Sequence, residues 1–195
     1  MAEPERLLEI KDVRTLAAMA HPLRVALLNQ LAALGPRTAS ECAAALAETP
    51  SNCSYHLRQL ERFGLVARAE PRNGRERPWR AAWTGLRTSP ELDGPEAGAA
   101  ERATRDALVE LGIEYHAGLA RQYLRLEAGA GPEWRAAAAA HDYALRLTAQ
   151  ELRDLVDTLD RAIRPYIALT RRDPPPGAAP VHLDFRAFLR PEALA

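Results

Sequence analysis

The chain has 195 residues, of which 47% are hydrophobic, and its 26 basic side chains equal its 26 acidic side chains in number. This length and composition support one large domain or two small ones with an apolar core, and the lack of an apolar run of about 18 residues excludes a transmembrane helix. The two cysteines and the charged first residues argue against a disulfide-rich or secreted protein, so we expect a cytoplasmic one.

The neutral total hides an asymmetry between the two halves of the chain. Residues 1–90 contain 13 basic and 9 acidic side chains, whereas residues 91–195 contain 13 basic and 17 acidic ones. The largest local excess lies in residues 51–87, with 8 basic against 3 acidic side chains. A basic region beside an acidic half is typical of a protein that contacts a polyanion with one part only.

Helix-capping residues mark the predicted helix boundaries in the first forty residues. Residues 7–10 are predicted to form a short strand or an arm. Asp12 can cap a first helix, and His21 followed by Pro22 ends that helix and begins the next, because proline is tolerated at the first helical position. A Gly-Pro pair at 35–36 then ends the second helix.

Two further capped helices follow. The sequence TASE is a capping box, in which the Thr38 hydroxyl accepts from the backbone and the Glu41 carboxylate accepts from the Thr38 N–H. The helix that it begins spans residues 39–46. Its predicted buried positions are Cys42, Ala45 and Leu46. A turn at 47–48 leads to Thr49, which caps the next helix, and two short helices joined by a tight turn form a helix-turn-helix.

The second of these helices, within residues 49–63, has two distinct faces. Its apolar positions recur at three- and four-residue steps and are Cys53, Leu57, Leu60 and Phe63. Its other face carries hydrogen-bonding side chains, which are Ser51, Asn52, Ser54, Tyr55 and Arg58. A helix fixed on one side and polar on the other is suited to reading base edges in a major groove. The alternative is an ordinary amphipathic helix with a solvated face.

A β-hairpin is predicted after this helix. Residues 65–70 and 77–82 are expected to be extended, and Asn73-Gly74 between them is a strong hairpin-turn signal. The hairpin is therefore a wing, and three arginines surround its tip: Arg72, Arg75 and Arg77. Arginines on a protruding ribbon beside a reading helix are well placed to contact phosphates or the minor groove. The alternative is a solvated hairpin that its charges keep soluble.

The second half of the chain is predicted to begin after a linker at residues 83–98. A long helix is expected from 99 to 127 and a short one from 133 to 140. Alternating apolar residues predict strands at 142–148 and 181–189, and we expect these to pair, either within one chain or across a dimer.

A second capping box, Thr148 to Glu151, starts a helix between the two predicted strands, and Pro165 is expected to kink or end it. We therefore predict a mainly α fold with small β-sheets. It comprises a winged helix-turn-helix DNA-binding domain in residues 1–88 and an α+β dimerisation and effector region in residues 99–195.

Residues 12–83 resemble the winged helix-turn-helix of ArsR-type bacterial transcriptional regulators. The matching segments are AHPLRVALLNQL, TASECAAAL, TPSNCSYHLRQLERFGLV and NGRERPWR. The run SYHLRQLERFGLV is the most specific of these. The resemblance implies sequence-specific binding to double-stranded operator DNA as a homodimer, and control of transcription, most often repression.

The resemblance also implies individual contacts. Base contacts would be made by Ser51, Asn52, Ser54 and Tyr55. Phosphate contacts would come from Thr38 and Arg58, with the wing arginines flanking, and Thr49 at the helix start belongs to the same predicted contact set. Metal-sensing members carry a Cys-x-Cys pair where this chain has Thr38 and Ser40, and the remaining Cys42 supplies too few soft ligands, so we predict no metal site and no cofactor.

Two alternatives to DNA-binding regulation remain open. The helix-turn-helix could belong to a protein- or small-molecule-interaction module, and the acidic half could receive a small-molecule effector. Alternatively, His141-Asp142 and His182 with Asp184 flank the predicted strands and could make the chain a metal- or redox-responsive regulator, although polar residues on the wet face of a sheet would give the same pattern. No nucleophile–base pair or phosphate-binding glycine loop occurs, so we do not predict an enzyme.

Overall fold

The computed structural model describes residues 7–71, 74, 76–88, 98–172 and 174–193. The chain forms two compact units, Met1–Leu119 and Ala120–Ala195. Residues 89–97, most of the predicted linker, lie outside the described part. The predicted division into residues 1–88 and 99–195 therefore stays a prediction.

The first unit contains a helical group and two small β-sheets. In chain order the elements are β1 (Leu7–Ile10), α1 (Val13–Met19), α2 (Pro22–Leu34), α3 (Ala39–Leu46), α4 (Pro50–Arg62), β2 (Val66–Arg68), β3 (Trp79–Ala81) and β4 (Gly85–Thr88). A long helix, α5 (Ala99–Leu126), begins in this unit and ends in the second.

All four predicted helix starts in this unit are confirmed by cap hydrogen bonds. Asp12 Oδ1 accepts from the N–H of Thr15 at 2.9 Å, and His21 Nδ1 accepts from a backbone N–H at 3.1 Å. The Thr38 hydroxyl accepts at 3.2 Å while its own N–H donates to the Glu41 carboxylate at 2.7 Å, which completes the capping box. Each cap satisfies a backbone group that the helix itself leaves without a partner.

The predicted wing is confirmed. Strands β2 and β3 pair antiparallel, with Val66 opposite Ala81 and Arg68 opposite Trp79. In this register the two residues of each pair lie equally far along the chain from the bond between residues 73 and 74, which is the predicted turn position. Asn73 itself lies outside the described residues. Arg37 adds a short bridge to the same sheet, because its N–H donates to the Trp79 carbonyl at 2.9 Å and its carbonyl accepts at 2.7 Å.

The second sheet corrects one prediction. Residues 85–88 were assigned to a linker, but they form β4, which pairs in parallel with β1. The pairing confirms the strand predicted at residues 7–10. Leu86 packs against the core, which holds the segment in place. The strand was missed because its partner lies far away in sequence and its own pattern is only four residues long.

One apolar core joins the helices to the wing. Its fully buried members are Leu16, Leu27, Leu31, Cys42, Cys53, Leu57, Leu60, Leu65, Val66 and Trp79. Each of the large side chains contributes about 1.5–3 kcal/mol relative to exposure. Two predicted core positions are wrong. Ala45 is exposed and Ala43 is buried in its place. Phe63 is 39% exposed, because it caps α4 and the chain then turns through Gly64, so that Leu65 enters the core.

The regular secondary structure of the second unit is helical in its described residues, and residues 138–148 and 174–190 form neither helix nor strand. It contains the end of α5 together with α6 (Pro132–Ala137) and α7 (Ala149–Arg172). The capping box of α7 is confirmed, since the Thr148 N–H donates to Glu151 at 2.8 Å and the Glu151 N–H donates to the Thr148 hydroxyl at 3.2 Å. The helix does not end at the predicted Pro165 but continues to Arg172.

The strands predicted at 142–148 and 181–189 do not form in the single chain. Both segments are described, and neither belongs to a sheet. Alternation marks a segment that can present one apolar face, but a strand also requires a neighbouring backbone to bond with. The fold class, mainly α with small β-sheets, is confirmed, but the two strands of the α+β arrangement expected for the C-terminal region are segments without regular secondary structure. Within the part described, no helix is long and apolar enough to cross a membrane.

Candidate nucleic-acid interface

The turn between α3 and α4 sets the angle of the second helix. Ala47 ends α3 with φ 54° and ψ 42°, the left-handed conformation, and the N–H of Glu48 donates to the Ala43 carbonyl at 3.0 Å. This conformation costs a non-glycine residue about 1–2 kcal/mol. The Thr49 hydroxyl then accepts from the N–H of Asn52 at 3.2 Å and starts α4. The helix-turn-helix predicted from the caps is therefore present.

Helix α4 buries one face and exposes the other. Cys53, Leu57 and Leu60 have no exposed surface. On the opposite side Ser51, Tyr55 and Arg58 are exposed, while Asn52 and Ser54 are partly exposed. The structure therefore brings the four predicted base-contacting residues and Arg58, a predicted phosphate contact, together on one helix surface.

The cysteines of the two helices are packing groups. Cys42 on α3 and Cys53 on α4 are both free thiols and fully buried. Burial, reinforced by Cys53, raises the pKa of Cys42 to about 11, and burial also raises that of Cys53. Both thiols are therefore protonated at neutral pH, which makes them weak nucleophiles and poor metal ligands.

Asn52 is held in place by a residue that the sequence analysis did not single out. Its side-chain Nδ2 donates to Glu48 Oε2 at 3.0 Å. A carboxylate can only accept, so this bond fixes which end of the Asn52 amide faces Glu48. The i,i+4 spacing of the two residues was the available signal.

His56 anchors α4 to α2. Its side chain is 7% exposed, and its Nδ1 accepts from Arg24 Nε at 3.2 Å. The His21 ring lies 4.4 Å away, centre to centre, and Arg24 also donates to the Ala18 carbonyl at 2.8 Å. Burial, together with the nearby His21 and Arg24, lowers the pKa of His56. The imidazole is therefore a neutral acceptor at pH 7.

Tyr55 is the most prominent aromatic group of this surface. It is 55% exposed, and its ring meets the His56 ring edge-on at 5.2 Å. The contact holds the phenol ring against the His56 ring. An exposed aromatic hydroxyl can donate to a base edge or to a phosphate oxygen.

The base of the wing is braced by a cation–π contact. The Arg68 guanidinium lies 3.5 Å from the centre of the Trp79 ring, and Trp79 itself is buried. Arg68 also donates to the Arg77 carbonyl at 3.2 Å. Arg77 has an exposed side chain, whereas Arg72 and Arg75 lie outside the described residues.

The two remaining predicted contact residues lie at helix N-termini. Thr38 is half-buried and Thr49 is exposed, and each hydroxyl already accepts a cap hydrogen bond. The Thr38 hydroxyl already donates to Glu41 Oε2 at 3.0 Å, whereas the Thr49 hydroxyl can still offer its proton to a phosphate oxygen. The positive end of the helix dipole favours an anion at both positions.

The C-terminal histidines and aspartates are not arranged as metal ligands. Within the described ranges, no three His, Cys, Asp or Glu side chains converge on a position that could hold an ion. Instead His141 stacks on Tyr143 with ring centres 5.9 Å apart, and Asp184 forms an ion pair with Arg186 at 3.1 Å.

Two capped helices at a tight turn, followed by a two-stranded wing, define a winged helix-turn-helix domain, the class of DNA-binding module found in many transcriptional regulators. Residues 19–69 match the family model described as "Helix-turn-helix domain". No curated protein matches the chain in sequence.

Several solved structures are similar to the chain. A homodimeric winged helix-turn-helix DNA-binding domain from Mycobacterium bovis, described as a possible ArsR-family transcriptional regulator, is 26% identical over 53% of this chain and 80% of that one, with a TM-score of 0.33. A possible transcriptional regulator for arsenical resistance is 26% identical over 60% of this chain and 96% of that one, with a TM-score of 0.32.

A mutant of S. aureus MepR bound to an oligodeoxyribonucleotide is 16% identical over 76% of this chain and 78% of that one, with a TM-score of 0.27. All three TM-scores are low, so the assignment of residues 19–69 rests on the domain match and on the order of the elements. The ArsR family named for the Mycobacterium bovis domain is the family that residues 12–83 resemble.

Proposed function

We propose that the chain is a sequence-specific transcriptional regulator that binds operator DNA as a homodimer, represses transcription, and acts in the cytoplasm without enzymatic activity. The observation that carries this proposal is the surface of α4, which is fixed by Cys53, Leu57 and Leu60 on one side and presents hydrogen-bonding groups on the other. Side chains of this kind on an anchored helix are what base-edge readout in a major groove requires.

The proposed contacts fall into two sets. Base edges are read by Ser51, Asn52, Ser54 and Tyr55. Phosphates are contacted by Thr38, Thr49, Arg58, Arg72, Arg75 and Arg77, which lie on the two helices and the wing. Residues 1–88 form the DNA-binding part of the chain, and residues 99–195 hold the two copies together. In a dimer the two α4 helices enter successive major grooves about 34 Å apart on a pseudo-palindromic site.

An anisotropy titration tests the proposal. The full chain is titrated into the DNA that precedes its own gene and into a shuffled duplex of the same length, at several salt concentrations between about 50 and 200 mM. We expect tighter binding to the upstream DNA and a linear fall of log K with log salt, because phosphate contacts release counterions. Equal affinity for the two duplexes, or no binding, would contradict sequence-specific regulation.

A further inference from the structure

The described residues of the second compact unit, Ala120–Ala195, form no buried core. None of its described side chains is buried. Its exposed large apolar residues are concentrated in two segments, with Tyr143, Leu145 and Leu147 in one and Val181, Leu183, Phe185, Phe188 and Leu189 in the other. Val181 and Phe188 are each 70% exposed. Monomeric proteins rarely expose large apolar patches, so we expect these segments to contact a macromolecular partner.

The segment 181–189 is positioned to receive that partner. Ala187 lines the same shallow cleft as Leu152 and Val156 of α7, so the segment lies against the apolar side of that helix. From Val181 to Ala187 its apolar residues alternate with polar ones, which is the pattern of a half-buried strand, and Phe188 falls on the polar face. No strand of the described part of the chain pairs with it.

The sequence of this segment is complementary to itself. When two copies run antiparallel with Phe185 opposite Phe185, Leu183 lies opposite Ala187 on the apolar face. On the other face Asp184 lies opposite Arg186 of the partner subunit, and the two-fold symmetry makes this contact twice. In the single chain Asp184 and Arg186 already share one face, since their side chains form an ion pair at 3.1 Å. Opposite charges and apolar pairs directly across two strands stabilise that pairing.

We propose that residues 181–189 of two copies of the chain pair as antiparallel strands about a two-fold axis at Phe185, which places the apolar side chains of the two segments side by side on one face of a shared two-stranded sheet. This inference deepens the homodimer of the proposed function and rests on it. An interface about a two-fold axis requires a surface that is complementary to itself. The match of Asp184 to Arg186 gives the segment such a surface, which binding to an unrelated protein would not require.

Cysteine cross-linking tests the pairing in the full chain. In the proposed register Phe185→Cys faces its own copy, within the separation of about 4.4–6.8 Å between Cα atoms that a disulfide allows. Oxidation with diamide should therefore give a covalent dimer in high yield. Leu183→Cys is the matched control on the same face, because its two copies lie four residues apart along the strands, about 13 Å. A mixture of Leu183→Cys and Ala187→Cys chains should cross-link although neither links to itself.

The background of this experiment is low. The two native thiols, Cys42 and Cys53, are fully buried, so the unmodified chain should give no covalent dimer. Light scattering on the same samples shows whether a negative result contradicts the homodimer itself or only the strand pairing. A monomeric chain would overturn both the homodimer and the strand pairing. A dimeric chain in which Phe185→Cys links no better than Leu183→Cys would overturn the strand pairing and leave the homodimer intact.

A charge exchange gives an independent readout. Asp184→Arg and Arg186→Asp each place like charges opposite one another twice, so each variant alone should dimerise about tenfold more weakly. A mixture of the two variants restores opposite charges across the interface and should form a heterodimer with nearly the original affinity. The ion pair within one chain is lost in both variants, so it cannot account for that recovery. Failure of the mixture to recover affinity would overturn the proposed register.

Discussion

The side-chain amide of Asn52 donates to the carboxylate of Glu48 at 3.0 Å, across the first turn of the reading helix. This contact orients the Asn52 carbonyl oxygen away from Glu48 and leaves it as an acceptor. Adenine N6 and cytosine N4 are the base-edge donors that such an acceptor meets in a major groove. In the proposed complex Asn52 would therefore read an adenine or a cytosine at one position of the operator.

Asn52→Ala should reduce the discrimination between the operator and duplexes altered at that position by about 1–3 kcal/mol. The loss arises because the base donor is left without its partner while the phosphate contacts remain. Anisotropy titrations on the operator, its single-position variants and random DNA measure the effect. Gln59→Ala, on the same helix but two turns further along, is the control and should keep full discrimination. An equal loss on operator and random DNA would show that Asn52 does not read a base.

Two substitutions of Glu48 should separate its effect on the orientation of Asn52 from the effect of its negative charge on DNA binding. In Glu48→Gln the new amide oxygen can still accept from Asn52, so discrimination should be kept, while binding to every duplex tightens because a negative charge beside the phosphates is removed. In Glu48→Ala the Asn52 amide loses its partner, so discrimination should fall although general binding also tightens. The same titrations at two salt concentrations distinguish the two effects. Identical behaviour of the two variants would contradict an orienting role for Glu48.

Arg75→Ala should weaken binding to all sequences alike. An arginine at the wing tip that contacts a phosphate releases counterions, so its removal should reduce the slope of log K against log salt by about one. Arg153→Ala, in the helix α7, removes the same charge without touching the wing and should leave the slope unchanged. A selective loss on the operator, with an unaltered salt slope, would instead place Arg75 on a base edge.

Because of His56, the free energy of unfolding should decrease in mild acid. Its pKa is lowered, chiefly by burial, so the folded chain binds a proton at this site less readily than the unfolded chain. Its full contribution to stability is therefore present above the ordinary histidine pKa of about 6.5 and decreases as the pH falls below that value. Urea unfolding followed at pH 7.5 and at pH 5 measures the difference.

His56→Gln should be less stable than the parent chain at pH 7.5 but should show a smaller loss of stability between the two pH values. His141→Gln, in the second unit and exposed, is the control and should keep the parent's pH dependence. If His56→Gln also keeps the pH dependence of the parent chain, the acid sensitivity arises at another group.

The sequence predicted the helix-turn-helix well because the signals are local. Thr38, Thr49, Asp12 and His21 each bond within three residues of themselves, so their spacing alone identifies a helix start. Periodicity placed Leu57 and Leu60 in the core for the same reason. The surface of α4 followed directly, because the polar residues of a short amphipathic helix are those left over when its apolar face is buried.

Elements whose partners are distant were predicted less well. Strand β4 depends on β1, nearly eighty positions earlier in the chain, and four residues carry too little pattern to reveal that partner. The alternation in residues 181–189 predicted a strand that does not form in the single chain, because alternation cannot show whether the chain supplies a neighbouring strand. The contact of His56 with Arg24 likewise joins residues on separate helices, and no spacing rule relates them.

Hydroxyl-radical footprinting of the full chain on its own upstream DNA tests the central claim most directly. A dimer that places two copies of α4 in successive major grooves should protect two windows on one face of the duplex, about 10 base pairs apart. Asn52→Ala should weaken both windows together. A single protected window, protection spread evenly along the duplex, or windows that Asn52→Ala leaves unchanged would contradict the assignment of α4 as the reading helix of a dimeric regulator.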